Sequence, residues 1–154
     1  MTATIYQTSD LASRRTEVLD AARSGLARVR DKDGTSLVML PESRLTLLEL
    51  VSDWAKALLR LEQLLSREGL PDVGDLGDLA WLRSFERSDL EEFVRELRDA
   101  VLAASADERG DALLDCVRAW QVTARQLDDP LRRSVLLSPH VPDDFEDAPR
   151  PADG

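Results

Sequence analysis

Five cations near the start of the chain are the groups best placed to do chemistry. Arg14 and Arg15 fall within two turns of a helix start, Arg28 and Arg30 alternate along one side of a strand-like run, and Lys32 sits at a turn. Cationic groups gathered on one face bind phosphate, and the forked N–H donors of an arginine also match the O6 and N7 acceptors of guanine. If the helix start and the strand converge, the chemistry expected of Arg14, Arg15, Arg28, Arg30 and Lys32 is DNA binding. Phosphate contacts supply the affinity and one or two arginines read bases. The plainer alternative is that Arg14, Arg15 and Arg30 solvate a surface, or pair with Glu17, Asp20 and Asp31.

Bond-making chemistry has no comparable set. The single histidine, His140, has no second histidine or cysteine near it, so no metal ligand set is expected. A glycine-rich phosphate loop, a G-x-S-x-G elbow and an H-E-x-x-H pair are all absent from the sequence. Asp89, Glu91 and Glu92 fall at a helix start, where the dipole favours negative charge, and Asp143, Asp144, Glu146 and Asp147 read as solvated. The expectation is a protein that is not an enzyme and takes no cofactor. Cys116, the one cysteine, cannot form an internal disulfide. It reads as a helix-face residue beside Leu113, Leu114 and Val117, in a protein of the reducing cytoplasm. No apolar run long enough to span a bilayer and no basic-then-apolar leader is present.

The elements that must hold the cations are written in residues 5–41. A short extended start leads to Thr8, Ser9 and Asp10, three competent helix caps. Leu11, Val18, Leu19 and Ala22 follow at helical spacing, and Gly25 suits a left-handed C-terminus. Two strand-like runs, 26–30 and 35–40, flank Lys32-Asp33-Gly34, where Asp-Gly is a strong hairpin signal. Three short strands and one helix bury little apolar surface and leave an open edge. A symmetric pair of modules would relieve both problems.

At TSDLASRRTEVLDAARSG and VRDKDGTSLVML the chain resembles the N-terminal module of Phd/YefM ("prevent-host-death") antitoxins. The shared features are the capped helix with E-V-L in its middle, a strand, a basic pair beside an x-G turn, and an apolar strand. Two differences stand out: the arginines come slightly later than Ala12 and Ser13, where the family often has a basic residue, and Asp31 and Asp33 flank Lys32. The resemblance implies homodimerisation through this module and binding of palindromic operator DNA by it. The stretch 119–124, followed by Asp129-Pro130-Leu131, also resembles the C-terminal part of longer, actinobacterial-type relatives.

Beyond the module, residues 42–68 carry leucines at three- and four-residue spacing all round, so this helix must be covered from more than one side. Either later helices or a second copy can do so. Gly69-Leu70-Pro71 ends it. Asp72, Asp75 and Asp78 stand three apart, which is not a calcium-loop spacing, and Asp75 reads as the cap of a helix over 76–85. Ser88-Asp89-Leu90-Glu91 and Ser105-Ala106-Asp107-Glu108 read as capping boxes for helices over 89–104 and 107–127. The acidic, proline-rich residues 138–154 read as a disordered tail in which Val141 and Phe145 are possible docking points.

The expected fold is α+β: a dimerising strand-helix-hairpin-helix module over residues 1–45, then a mostly α-helical region over 46–137. The first 45 residues hold seven basic and six acidic groups, whereas the rest holds thirteen and twenty-four. Nucleic acid is therefore repelled by all but the module. The expected function is that of a type II antitoxin, repressing its own operon through the module and neutralising a cognate toxin through its C-terminal region. The anchors expected on the toxin are Trp120, Val122, Leu127, Leu131 and Leu136. A ribonuclease and a Fic/Doc-type enzyme both remain open as the toxin. The competing expectation is a dimeric helical scaffold in which the antitoxin-like module no longer binds DNA.

Overall fold

The structure, a computed structural model, describes residues 4–131 and Ser134. It is mixed α+β, with a small three-stranded sheet at the start and helices after it. Strand β1 (Ile5–Gln7) runs parallel to β2 (Ala27–Arg30), and β2 runs antiparallel to β3 (Ser36–Met39), in the order β1-β2-β3. Between β1 and β2 the expected single helix is two: α1 (Asp10–Ser13) and α2 (Arg15–Arg23), broken at Arg14 with φ −127° and ψ 34°. Thr8 and Ser9 supply no side-chain cap; instead the Asp10 carboxylate reaches back to accept the Gln7 N–H at 2.7 Å.

Alternation along the strands decides which residues face α2. Tyr6, Ala27 and Val29 are buried there against Val18 and Ala22, two helical residues four apart on one face. The hairpin closes as expected. Gly34 has φ +89°, its N–H donates to the Asp31 carbonyl at 3.0 Å, and the Asp31 N–H donates to the Thr35 carbonyl at 2.8 Å.

Helix α3 (Glu42–Leu65) leads out of the module into a second, larger core. Its first half has no buried residue; burial starts at Leu58 and continues through Leu61, Leu64 and Leu65. The helix ends before residue 68 because Arg87 intervenes. Its guanidinium donates to the carbonyls of Arg67 (3.0 Å), Gly69 (2.6 Å) and Leu65, holding the chain past the last turn where a cation suits the helix dipole.

The expected helix over 76–85 is instead one α-turn, α4 (Val73–Leu76), and a 3₁₀ segment, Gly77–Ser84. Gly77, at φ 57° and ψ −120°, separates them. Arg60 of α3 ties this junction by donating to the Leu76 carbonyl at 2.6 Å and to Asp78. Helix α5 (Arg87–Asp107) starts earlier than expected, with a capping box made by Glu86 and Asp89 rather than by Ser88 and Glu91. The second expected box is not one, because Ser105, Ala106 and Asp107 form the last turn of α5. Glu108 then takes a left-handed conformation, and α6 (Asp111–Asp128) starts after Gly110. Gly110 sits against α3 so closely that a Cβ would stand 2.8 Å from Leu50.

Helices α3, α5 and α6 and the 3₁₀ segment enclose Leu61, Leu82, Phe93, Leu97 and Leu113, none of which is measurably exposed. Trp120 packs into this core. Its ring meets Phe85 and Phe93 at 5.3 Å, and its indole N–H donates to Glu96 at 2.7 Å. The expected tail over 138–154, with His140, Val141 and Phe145, lies outside the described residues.

Candidate nucleic-acid interface

The five cations lie on two sides of the small sheet. Across the three strands, Ile5 lies beside Arg28 and Arg28 beside Val38; in the next row Gln7 lies beside Arg30 and Arg30 beside Ser36. All six residues are exposed. Because Ala27 and Val29 point to α2, Arg28 and Arg30 project from the opposite, uncovered face. They are two residues apart on one strand, so their stems stand roughly 7 Å apart. This is close to the spacing of successive phosphates on one DNA strand.

Arg14 belongs to the other side. Its guanidinium lies 5.7 Å from the centre of the Tyr6 ring, which faces α2, and pairs bidentately with Glu17 at 2.5 and 2.9 Å. The hydrogen bond and the charge of Glu17 push the Arg14 pKa further up, so this cation is permanent but already partnered. Arg15 opens α2 and is exposed. Thus the structure joins Arg28 and Arg30 on one face, sets Lys32 at the hairpin tip beyond them, and leaves Arg14 off that face.

Carboxylate partners set Arg15, Arg28, Arg30 and Lys32 apart from most of the described cations, although Arg95 and Arg125 on the helical part have no described carboxylate in ion-pair reach either. Among the described residues, Arg44, Lys56, Arg60, Arg67, Arg83, Arg87, Arg98, Arg109 and Arg118 each pair with a carboxylate. No described carboxylate lies in ion-pair reach of Arg15, Arg28, Arg30 or Lys32. The aspartates beside Lys32 are engaged with backbone. Asp31 accepts the Lys32 N–H at 2.7 Å and Asp33 accepts the Thr35 N–H at 2.8 Å. The bonds from Thr35 hold the Asp33 carboxyl below the usual carboxylate range. These acids shape the turn and leave the cations to other ligands. Gln7 and Ser36, which flank Arg30, are polar members of the same face that the cation pattern did not single out. The period-two alternation of residues 5–7 was the signal that could have found Gln7.

The expected toxin anchors also divide. Trp120 and Leu127 pack against the helical core, while Val122 and Leu131 are exposed. Leu136 lies outside the described residues. Cys116 is partly buried on α6, and burial together with nearby Glu96 pushes its thiol pKa up, away from the reactive thiolate. Among the described residues no cluster of His, Cys, Asp and Glu could hold a metal ion, and no helix is long and apolar enough to cross a membrane. Comparisons with protein-family models, with characterised proteins and with solved structures matched this chain to nothing.

Proposed function

We propose that the chain is a type II antitoxin of the Phd/YefM kind, a homodimer that binds operator DNA with its N-terminal module and a cognate toxin with its C-terminal region. The observation that supports the DNA half is the uncovered sheet face, where Arg28 and Arg30 stand side by side without a carboxylate partner. A chain of net charge −10 that pairs most of its cations internally, yet leaves these open, has a place for an external polyanion. Lys32, at the hairpin tip, extends the contact to phosphates; Arg15, exposed at the start of α2 on the other side of the sheet, is a separate phosphate contact, and Arg14 contributes mainly by holding the start of α2. On the toxin side, Val122 and Leu131 are the exposed anchors. Trp120 and Leu127 hold α6, which carries Val122 and ends three residues before Leu131.

The test is binding of the chain to DNA from its own promoter, followed by fluorescence anisotropy through a salt series. Arg28→Ala with Arg30→Ala is expected to weaken binding by at least roughly two orders of magnitude and to flatten the salt slope by about two for each copy bound, about four for the dimer. Arg14→Ala is expected to cost less than tenfold. Equal binding by the double variant and the parent would refute the assignment. A dimeric helical scaffold without DNA binding is the second reading, favoured by the acidic helical part and by exposed leucines on α3. It predicts self-association with no promoter binding at any salt concentration.

A further inference from the structure

Helix α3 carries a second stripe whose leucines are open to solvent. Leu45, Leu48 and Leu59 are 46 %, 55 % and 66 % exposed. With Ser52 and Ala55 they fall at positions 45, 48, 52, 55 and 59, alternating steps of three and four. That is the spacing of an a/d seam in a two-helix coil; its leucines turn away from Leu58, Leu61 and Leu65, while Ala55, half-buried, borders the helical core. We infer that this seam pairs antiparallel with the same seam of a second copy of the chain.

Three features select that occupant and that direction. The seam complements itself about its middle: with Ser52 beside the partner's Ala55, Leu48 falls beside the partner's Leu59, and Leu45, one turn on, falls beside the partner's Glu62, which is paired with Arg98 in its own copy. Small residues stand at the centre and leucines at both ends, so the two backbones approach closely where the axis passes. The flanking charges also agree. Glu49 and Lys56 are seven residues apart and share one flank. In an antiparallel pair, equivalent flanks face each other, so each Glu49 meets the partner's Lys56; in a parallel pair these two groups do not meet. Within one copy Lys56 is only loosely held, 3.6 Å from Asp53 and well exposed. Finally, pairing of the uncovered sheet faces would bury Arg28 and Arg30 with no carboxylate beside them, and pairing through an open sheet edge would leave the α3 leucines in water.

From Leu45 to Leu59 the seam is about 21 Å long, which places it among small, reversible interfaces with affinity in the micromolar range. The inference does not rest on the antitoxin reading, since it concerns a surface separate from Arg28 and Arg30.

Sedimentation equilibrium of the full chain over a concentration series tests it. The parent is expected to dimerise. Leu59→Glu is expected to be monomeric, with far-UV circular dichroism and melting behaviour unchanged because Leu59 is exposed. Lys56→Glu alone sets like charges against Glu49 and is expected to raise the dissociation constant roughly tenfold. Adding Glu49→Lys to Lys56→Glu restores opposite pairs and is expected to recover the parent constant. A parent that stays monomeric at millimolar concentration, a dimer that survives Leu59→Glu, or a double variant no better than Lys56→Glu would each overturn the inference. Sedimentation without DNA reads the seam alone, so its failure is distinguishable from a failure of promoter binding.

Discussion

The hairpin tip shows how acidic residues serve a basic face at the scale of single side chains. Asp31 and Asp33 flank Lys32 and dilute its charge in the sequence, yet each gives an oxygen to a backbone N–H of the turn. The Asp33 pKa is lowered because Thr35 donates to its ionised form. Its folded value therefore lies below its unfolded one. The stabilisation is present above the unfolded value and is lost as pH falls through the folded one, that is, below about pH 4. The Thr35 amide is accordingly expected to lose its hydrogen-bonded proton shift as pH falls through that window in a nuclear magnetic resonance titration. In Asp33→Asn the amide oxygen still accepts but no longer titrates, so the step is expected to vanish while the turn persists. A step of the same size in Asp33→Asn would mean that another group controls the turn. Gly34 permits this arrangement because its φ of +89° is one that a side chain would resist.

Elements were legible in the sequence where periodicity alone defines them, and illegible where a distant group decides. The three strands, the hairpin and the start of α3 were readable because alternation, Asp-Gly and Pro41 are local signals. The end of α3 was not, since Arg87, more than twenty residues past Leu65, takes its carbonyls. The 3₁₀ segment had a local signal that an α-helical reading absorbed. Leu76, Leu79, Leu82 and Phe85 are buried at a strict spacing of three, which is one face of a three-residue-per-turn helix. The split of the cations between two faces was half readable: alternation separates Arg28 and Arg30 from Val29, but only the packing of α2 says which side is open. Capping boxes were the least secure, because Ser88-x-x-Glu91 and Glu86-x-x-Asp89 overlap and both fit the start of α5. That overlap gives a sharp test. Asp89→Ala removes the group that accepts the Glu86 N–H at 3.1 Å and is expected to cost about 1 kcal/mol. Ser88→Ala, at an exposed site inside the helix, is expected to be neutral or to stabilise by a few tenths of a kcal/mol. Chemical denaturation of the two variants measures both, and the reverse ranking would restore the cap to Ser88.

At the scale of the whole molecule, α3 is the member that belongs to neither core completely. The module has its own small apolar cluster around Tyr6, Val18 and Val29, and the helical part has another from Leu58 onward. Between them the first half of α3 runs beside a 440 Å³ cleft floored by Leu47, Leu48 and Val51, closed on one side by the Arg44–Glu108 pair at 3.1 Å. A rod that carries a module at one end would work as a spacer if it pairs through the seam proposed in its middle. In the antiparallel pair, Glu42 of one copy lies level with the partner's Leu65, so the two α3 starts are separated by about 35 Å along the rod. That length is close to one turn of B-DNA, about 34–36 Å, the separation at which a two-fold dimer meets two half-sites on the same side of the duplex. With one module carried at each α3 start, the proposed pairing predicts an operator with inverted half-sites about one turn apart. Moving the half-sites by about five base pairs turns the second to the far side of the duplex and is expected to cost at least tenfold in affinity, which gel-shift titration against a spacing series measures. Leu59→Glu keeps the arginines and removes the rod pairing. It is expected to bind every spacing alike, at the weak level of a single half-site, whereas Arg28→Ala with Arg30→Ala is expected to lose both sites while still sedimenting as a dimer.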